Sequence, residues 1–200
     1  MPNNKKGLLV IISSPSGGGK DSVINAILKI IPNSARLITT TSRQPRPDQK
    51  EGIDYYFITP QQFKEKIAND EFVEYNFYAE NYYGTEKKEL EKTLEKNDLI
   101  LTQIEVHGKH NFDKKNIPHL SIFLLPESIT TLQKRIEKRG GISPEFIKNR
   151  METAKLEIKA SADYDYKIVN YEGKLAETIA KITKIIEQEM AKHQSLDKNQ

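Results

Sequence analysis

The chain has 200 residues, 36% of them hydrophobic, and its 31 basic side chains nearly balance 28 acidic ones to leave a net charge of +3. This length and composition predict one compact domain, and the mild charge suits anionic small molecules without indicating a nucleic acid. The absence of cysteine excludes disulfides and thiolate sites. Residues 1–6 lead into the first predicted strand without a signal peptide, and no apolar run could span a membrane, so we expect a cytoplasmic protein.

The first predicted elements are a buried strand over residues 7–12 and a helix over residues 23–31, joined by a glycine-rich loop. This order is the context that a phosphate-binding loop requires, because backbone N–H groups and a helix N-terminus converge on one anion. A tight turn without a ligand is the simpler alternative, but the lysine that ends the loop favours phosphate binding. The candidate ATP-binding residues here are Ser14, Pro15, Ser16, Gly17, Gly18, Gly19, Lys20, Asp21 and Ser22.

The loop departs from the pattern G-x-x-x-x-G-K-[ST] at two positions. Ser14 stands where the first glycine is expected, and Asp21 stands where the hydroxyl ligand of magnesium is expected, with Ser22 one position later. A carboxylate beside the phosphates either binds Mg²⁺ or repels the nucleotide. The sequence leaves both possibilities open, and Asp21 and Ser22 are the candidate Mg²⁺ ligands.

Arginine is rare and clustered, since five of the six arginines fall in two stretches. One stretch lies in a hydroxyl-rich, proline-punctuated loop over residues 39–47, and the other lies between residues 135 and 150. A guanidinium grips two oxygens at once, which lysine cannot, so the clusters favour phosphate contacts over surface ion pairs. The clustered residues are Arg43, Arg46, Arg135, Arg139 and Arg150.

The segment between about residues 40 and 85 contains six of the nine tyrosines and interrupts the alternation of strands and helices. We interpret it as a β-rich lobe, whose tyrosines either form a small aromatic core or contact a phosphate and a base. The elements predicted at and within this lobe are strands over 36–39, 54–57, 72–78 and 81–85 and a helix over 60–69.

The rest of the chain alternates buried strands with helices, which predicts an α/β fold: a three-layer parallel sheet with helices on both faces, a small mixed β-rich lobe and a short lid. His107 and His110 lie three apart on a predicted helix, where a metal site is disfavoured because no third ligand has the spacing. The predicted elements are helices over 86–97, 128–138, from 143 and around 175–186, strands over 99–104, 119–125 and 167–169, and a disordered tail at 194–200.

Over residues 7–190 the chain resembles guanylate kinase. The residues that carry the resemblance are the phosphate loop and the segments 40–47, 52–57, 71–75, 81–85, 104–108, 121–123, 135–140 and 165–170. The resemblance implies ATP-dependent phosphorylation of GMP, and of dGMP, to GDP in purine nucleotide metabolism, with Mg²⁺ accompanying ATP. It implies one domain with a core at 7–38 and 97–190, a GMP-binding lobe at 39–96 and a lid at 135–150.

The resemblance also implies the residues of the GMP site. Glu74 would accept hydrogen bonds from guanine N1 and N2, and adenine offers no such pair of donors. The residues implied at the GMP phosphate are Arg43, Arg46, Tyr55 and Tyr83, and those implied elsewhere on GMP are Thr39, Thr85 and Glu105.

On the ATP side, the resemblance places Asn170 near the adenine. Transfer would be direct and in line, without a protein nucleophile, and would depend on positioning and on neutralisation of charge. The residues implied to act in catalysis are Lys20, Arg43, Arg135, Arg139 and Arg150. The expected partners are ATP and GMP, with no nucleic acid and no membrane, and the protein is expected to be a monomer or a homodimer.

The chain departs from the family in its carboxylates. The family usually carries an acidic pair around an isoleucine after the central strand, and here the first of the pair is Gln103, whereas Asp21 adds a carboxylate in the phosphate loop. We hypothesise that these two changes compensate each other. Two alternatives remain: a related kinase acting on ribose 1,5-bisphosphate, to which the Lys-Asp-Ser sequence is also similar, and an inactive guanylate-kinase-like module that binds phosphorylated peptides.

Overall fold

The computed structural model describes residues 7–78, 80–138 and 143–197. Its strands are β1 (Leu8–Ser13), β2 (Ser34–Arg36), β3 (Thr40–Thr41), β4 (Tyr56–Phe57), β5 (Phe72–Tyr78), β6 (Asn81–Glu86), β7 (Leu99–Gln103), β8 (Leu120–Pro126) and β9 (Tyr166–Asn170). Its helices are α1 (Lys20–Ile30), α2 (Pro60–Ala68), α3 (Lys87–Lys96), α4 (Val106–Lys114), α5 (Ile129–Glu137), α6 (Pro144–Ala160) and α7 (Leu175–Asp197).

A five-stranded parallel sheet of order β2-β7-β1-β8-β9 forms the core. Its strands are apolar on both faces because both faces are covered: Val10 and Ile12 of β1 pack with α1 and α7, whereas Leu9 and Ile11 pack with α3 and α4. All four side chains are at most 1% exposed. The structure therefore confirms the predicted three-layer α/β fold.

The predicted β-rich lobe is a second sheet of order β4-β3-β6-β5. Its β5–β6 hairpin is antiparallel and pairs Glu74 with Thr85, while β3 and β4 run parallel. Phe63 of α2 stacks on Phe72 at 4.3 Å and on Tyr82 at 5.1 Å between ring centroids. Part of the aromatic content thus forms the lobe's own small core.

Several boundaries differ from the sequence prediction. The second core strand is Ser34–Arg36 instead of 36–39, because its pairing with β7 ends where Leu37 N–H donates to Leu101 O at 2.9 Å and the chain turns into the lobe. The strand predicted at 54–57 is Tyr56–Phe57 alone. Helix α7 continues to Asp197, so the first four residues of the predicted disordered tail are helical, and 198–200 lie outside the described residues.

The tip of the predicted lid, residues 139–142, also lies outside the described residues, and Arg139 with it. Among the helices that are described, none combines the length and the apolar character needed to cross a membrane.

Candidate active site

The glycine-rich loop has the conformation that its sequence predicts. Gly17 and Gly19 have φ values of +87° and +94°, in the region that disfavours side chains. Gly18 is required for a different reason, because a Cβ there would meet Ser14 Oγ at 2.3 Å. Gly19 directly precedes α1, so the loop delivers its backbone N–H groups to a helix N-terminus, where anions are stabilised.

The interior of the loop is held by its own side chains and by β9. Lys20 Nζ donates to Ser14 O at 2.6 Å and lies 3.2 Å from Ser14 Oγ. The buried amide of Asn170 donates to Gly18 O at 3.0 Å and accepts from Thr178 Oγ1 at 3.0 Å. The structure therefore brings Asn170, which sequence reasoning assigned to the adenine, against the backbone of the loop.

Asp21 and Gln103, the two departures from the family pattern, lie in contact, and Arg36 touches both. Arg36 Nη2 donates to Asp21 Oδ1 at 2.7 Å. In the amide orientation that satisfies both neighbours, Gln103 donates to Asp21 Oδ1 at 3.0 Å and accepts from Arg36 Nη2 at 2.8 Å. Sequence reasoning missed Arg36, and its one signal was that it is the single arginine outside the two clusters.

The predicted phosphate-binding residues of the lobe form one group. The Arg43 guanidinium lies 5.8 Å from the centre of the Tyr55 ring, and the Tyr55 and Tyr83 rings are 6.2 Å apart in an edge-to-face arrangement. Arg43 is oriented by Gln44 O and Gln49 Oε1, each at 2.6 Å. Arg46 is exposed and lines the same cleft as the two tyrosines.

Glu74 lies at the base of this group and is 7% exposed. Its Oε1 accepts a hydrogen bond from the hydroxyl of Thr85 at 2.8 Å. Burial raises the pKa of Glu74 to about 7, and the charge of Glu105 adds to the increase, although the Thr85 hydrogen bonds oppose it. A buried carboxylate that faces a neutral hydroxyl retains acceptor capacity for a ligand with N–H donors.

Gly108 of α4 leaves the room that Glu74 occupies. A Cβ at this position would lie 3.0 Å from Glu74 Oε2 and 2.1 Å from Ile104 Cγ2. Sequence reasoning quoted Gly108 within a motif without assigning it a function, and its signal was a glycine early in a helix, where it is otherwise unfavourable.

One cleft of about 310 Å³ connects the two groups of residues. Thr39, Gly84, Asn76 and Glu105 also line it, and Asn76 Nδ2 lies 3.3 Å from Glu105 Oε2. The cleft therefore places the loop lysine, the buried carboxylate of Glu74 and the two lobe tyrosines on one continuous surface. The residues that define its two ends are Ser16, Lys20 and Asp21 on the loop and Tyr55, Glu74 and Tyr83 on the lobe.

A smaller pocket of about 110 Å³ lies between the loop and α6. Lys20, Arg150 and Glu157 line it. Burial raises the pKa of Glu157 to about 7; the positive charges of Lys20 and Arg150 oppose that rise, and Glu105 adds to it. Glu157 was missed from the sequence because it lies more than a hundred residues from Lys20 without a local motif.

The predicted lid arginines have different environments. Arg150 lines both the smaller pocket and the main cleft. Arg135 donates from Nε to Glu172 at 2.7 Å and from Nη2 to Asn170 O at 3.3 Å, beside the loop. Arg139 lies outside the described residues.

The helix that carries His107 and His110 corrects one step of the sequence argument. Ligand atoms of His110, Asp113 and Asp163 lie within 4.8 Å of one another, so a group of three candidate ligands exists in space, although it includes only one of the two histidines. The buried ammonium of Lys109 already occupies this cluster, at 2.9 Å from Asp113 and 3.1 Å from Asp163. These carboxylates therefore neutralise a side chain of the protein itself.

Comparison with known proteins gives a consistent result. The family model described as guanylate kinase matches residues 6–189. The chain is 38% identical to the guanylate kinase of Latilactobacillus sakei, over 93% of this chain and 91% of that one, and 39% identical to that of Rickettsia felis, over 96% and 99%. It superposes on the crystal structure of guanylate kinase from Anaplasma phagocytophilum with a TM-score of 0.74 at 30% identity, covering 94% of this chain and 88% of that one.

Proposed function

The chain belongs to the guanylate kinase family, and from this premise we propose that it transfers the γ-phosphoryl group of ATP to GMP, and to dGMP, forming ADP and the diphosphate. The observation that carries the proposal is the single cleft that joins the loop lysine to a buried carboxylate and a tyrosine–arginine group. With a phosphate donor bound at the loop end and a guanine nucleotide bound at the lobe end, the phosphates of the two ligands would lie next to each other within the cleft.

At the acceptor end, Glu74 accepts from guanine N1–H and the N2 amino group, and Thr85 holds the carboxylate in place. Adenine presents an acceptor at N1 and no N2 amino group, so it would leave the buried carboxylate without donors. Thr39 and Glu105 complete the walls of this end. The acceptor phosphate is held by Arg43, Arg46, Tyr55 and Tyr83.

At the donor end, the loop binds the phosphates of ATP through its backbone N–H groups, and Lys20 exchanges Ser14 for a phosphate oxygen. An oxygen of the GMP phosphate attacks Pγ in line, the bond from Pγ to the β–γ bridging oxygen breaks, and ADP leaves. Arg150, Arg135 and Arg139 supply positive charge as the lid closes, and Asn170 supports the loop. Catalysis consists of positioning and charge stabilisation, with no covalent intermediate on the protein.

The donor set at the loop suits Mg²⁺, which prefers oxygen ligands and often takes one or two carboxylates together with substrate phosphates. In the described part of the chain both hydrogen bonds of the Asp21 carboxylate go to Oδ1, which leaves Oδ2 as a ligand. We assign Asp21 to the metal, with Ser22 as the second candidate. Bound there with ATP, Mg²⁺ neutralises charge on the β- and γ-phosphates.

The proposal extends to the cellular setting. The enzyme acts in the cytoplasm in purine nucleotide metabolism, on ATP and GMP, without a nucleic acid or membrane partner. It works as a monomer or a homodimer.

The decisive experiment is an ADP-release assay with ATP, Mg²⁺ and a panel of acceptors: GMP, dGMP, AMP, UMP and ribose 1,5-bisphosphate. We expect turnover with the two guanine nucleotides, its loss in Lys20→Met, and its retention in Lys29→Met on the same helix. Turnover with ribose 1,5-bisphosphate alone would assign the chain to the related kinase. Folded protein that is silent with every acceptor would indicate a binding module.

A further inference from the structure

Arg36 and Asp21 form an ion pair at the edge of the phosphate loop. Two neutral amides also contact the pair: Asn25 Oδ1, 3.5 Å from Arg36 Nη1, and Gln103. The Arg36 side chain is only 20% exposed, whereas that of Asp21 is 66% exposed. The guanidinium is thus mostly buried, whereas the Asp21 carboxylate is mostly exposed and contacts it from the first turn of α1.

The Asp21 carboxylate of this pair lies at the loop end of the main cleft. Asp21 follows Lys20 directly and lines the cleft beside it. On the lobe side, burial raises the pKa of Tyr55, Asp21 adds to the rise, and Arg36 opposes it. Both charges are therefore within electrostatic reach of the phosphate-binding tyrosine as well as the loop.

An unpaired carboxylate in this place would oppose a triphosphate. Two like charges several ångströms apart near a protein surface repel each other enough to cost about one factor of ten or more in affinity. A guanidinium that donates to the carboxylate at 2.7 Å cancels most of this field. A lysine at position 36 would be a point charge. It would lack the planar guanidinium whose Nη2 also contacts Gln103.

We propose that Arg36 is a positioning residue of the phosphate loop: it neutralises Asp21, so that a loop with an additional carboxylate still binds ATP. This inference rests on the proposed ATP site. Arg36 acts through Asp21 and does not contact the reacting atoms.

The geometry adds a second part to this inference. Arg36 Nη2 donates to Asp21 Oδ1 and to the Gln103 side-chain oxygen, at 2.7 Å and 2.8 Å. A carboxylate at position 103 would therefore meet the same nitrogen. The three residues form a unit that requires one carboxylate, and either position 21 or position 103 can supply it.

A double-mutant cycle on the full chain tests the first part. ATP and ADP affinities are measured by calorimetry in EDTA, so that metal ligation does not contribute and turnover is not required. We expect Arg36→Gln to weaken ATP about tenfold and ADP less, because the loss grows with ligand charge. We expect Asp21→Ser with Arg36→Gln to return ATP affinity to within about threefold of the wild type, since the cycle isolates the pairwise term.

Two further variants separate charge from structure. Arg36→Lys keeps the charge and should remain within about threefold of the wild type. Lys87→Gln removes a cation paired with Asp70 at 2.6 Å in the lobe and should leave ATP affinity unchanged, which controls for net charge. Thermal unfolding of each variant shows that it is folded.

Moving the carboxylate from position 21 to position 103 tests the second part of the inference. Gln103→Glu places two carboxylates against one guanidinium and should weaken ATP about tenfold. Asp21→Ser with Gln103→Glu should bind ATP within about threefold of the wild type.

The outcomes are distinct. An unchanged ATP affinity in Arg36→Gln, a loss that Asp21→Ser does not restore, or an equal loss for ATP and ADP would overturn the role of Arg36. Additive losses in the exchange would overturn the shared-carboxylate unit alone. A wild-type protein that binds ATP neither in EDTA nor with Mg²⁺ would refute the proposed function itself, and with it this inference.

Discussion

The two ends of the cleft each contain a carboxylate, and the protein treats them in opposite ways. Asp21 at the donor end has a side chain that is 66% exposed and is paired with a guanidinium at 2.7 Å. Glu74 at the acceptor end is 7% exposed and is held by a neutral hydroxyl at 2.8 Å. Under the proposed function, the first carboxylate lies beside a polyphosphate and Arg36 neutralises its charge, whereas the second faces N–H donors and its charge is left for the ligand to satisfy.

The largest expected effect comes from removing the acceptor carboxylate. Glu74→Gln replaces one acceptor with an amide donor that faces the donors of guanine, so kcat/KM for GMP should fall by about 100-fold or more. Steady-state kinetics with GMP as the varied substrate measure this loss. Glu71→Gln, which removes an outward carboxylate paired with Lys66 at 2.8 Å, is the matched control. Equal losses in both variants would remove the distinction between the two ends.

The second expected effect is on the way the free energy of unfolding depends on pH. The pKa of Glu74 is raised to about 7 from 4.5 by burial, so the folded chain holds a proton that the unfolded chain has lost between about pH 4.5 and 7. The free energy of unfolding should therefore fall as pH rises through this window, by about 3 kcal/mol for this group, and stay low above it. Denaturant unfolding of the ligand-free protein from pH 5 to 8 measures the slope.

The same experiment on Glu74→Gln sharpens the result. The variant should lose about half of the slope and be more stable than the wild type at pH 8. Glu157, whose pKa burial also raises to about 7, contributes a residual slope that Glu157→Gln removes. A wild-type slope that survives in Glu74→Gln would show that Glu74 is not the group responsible.

The third prediction concerns the space around Glu74. In an exposed helix interior, glycine to alanine stabilises by about 1 kcal/mol. Gly108→Ala should instead destabilise by about 2 kcal/mol, because the new Cβ would lie 2.1 Å from Ile104 Cγ2 and 3.0 Å from Glu74 Oε2. Thermal unfolding gives the sign, and a rise in KM for GMP should accompany it. A stabilised variant with unchanged KM would contradict the packing described.

The smallest expected effect is the loss of one hydroxyl. Thr85→Val keeps the shape of the side chain and removes the donor to Glu74, which should raise KM for GMP about fivefold and leave KM for ATP unchanged. Thr93→Val on α3, where the hydroxyl donates to Glu89 O at 2.7 Å, is a control outside the site. A change in the ATP parameters of Thr85→Val would mean that the two ends are coupled through this residue.

The donor end was more predictable from sequence than the acceptor end because its parts are adjacent in the chain. A strand, three glycines, a lysine and a helix follow one another within about 25 residues, so local pattern was sufficient. The contact between Glu74 and Thr85 depends on hairpin register, which alternation alone does not fix. The resemblance supplied these residues, and the structure brings them together.

The Arg36 contact could not be predicted in this way. Asp21, Arg36 and Gln103 lie on α1, β2 and β7, and they meet only because the sheet order places β7 between β1 and β2. Sequence spacing carries no signal for such a meeting, and a lone arginine reads as an ordinary surface residue. The compensation between positions 21 and 103 was a hypothesis about two residues, and the structure adds a third.

The acceptor lobe leaves the core after β2 and returns to it at β7, and these two strands are neighbours in the sheet, with Ser34 opposite Leu99. The chain leaves β2 at Arg36, which is opposite Leu101, and re-enters the sheet at Leu99, so exit and entry are one strand spacing and two residues apart, roughly 8 Å. A segment joined at two adjacent points can be exchanged for another of different length without reordering the sheet beneath it. In such a protein the lobe between β2 and β7 can be replaced, in evolution or by design, and the acceptor changed with it. The residues that bind ATP stay as they are.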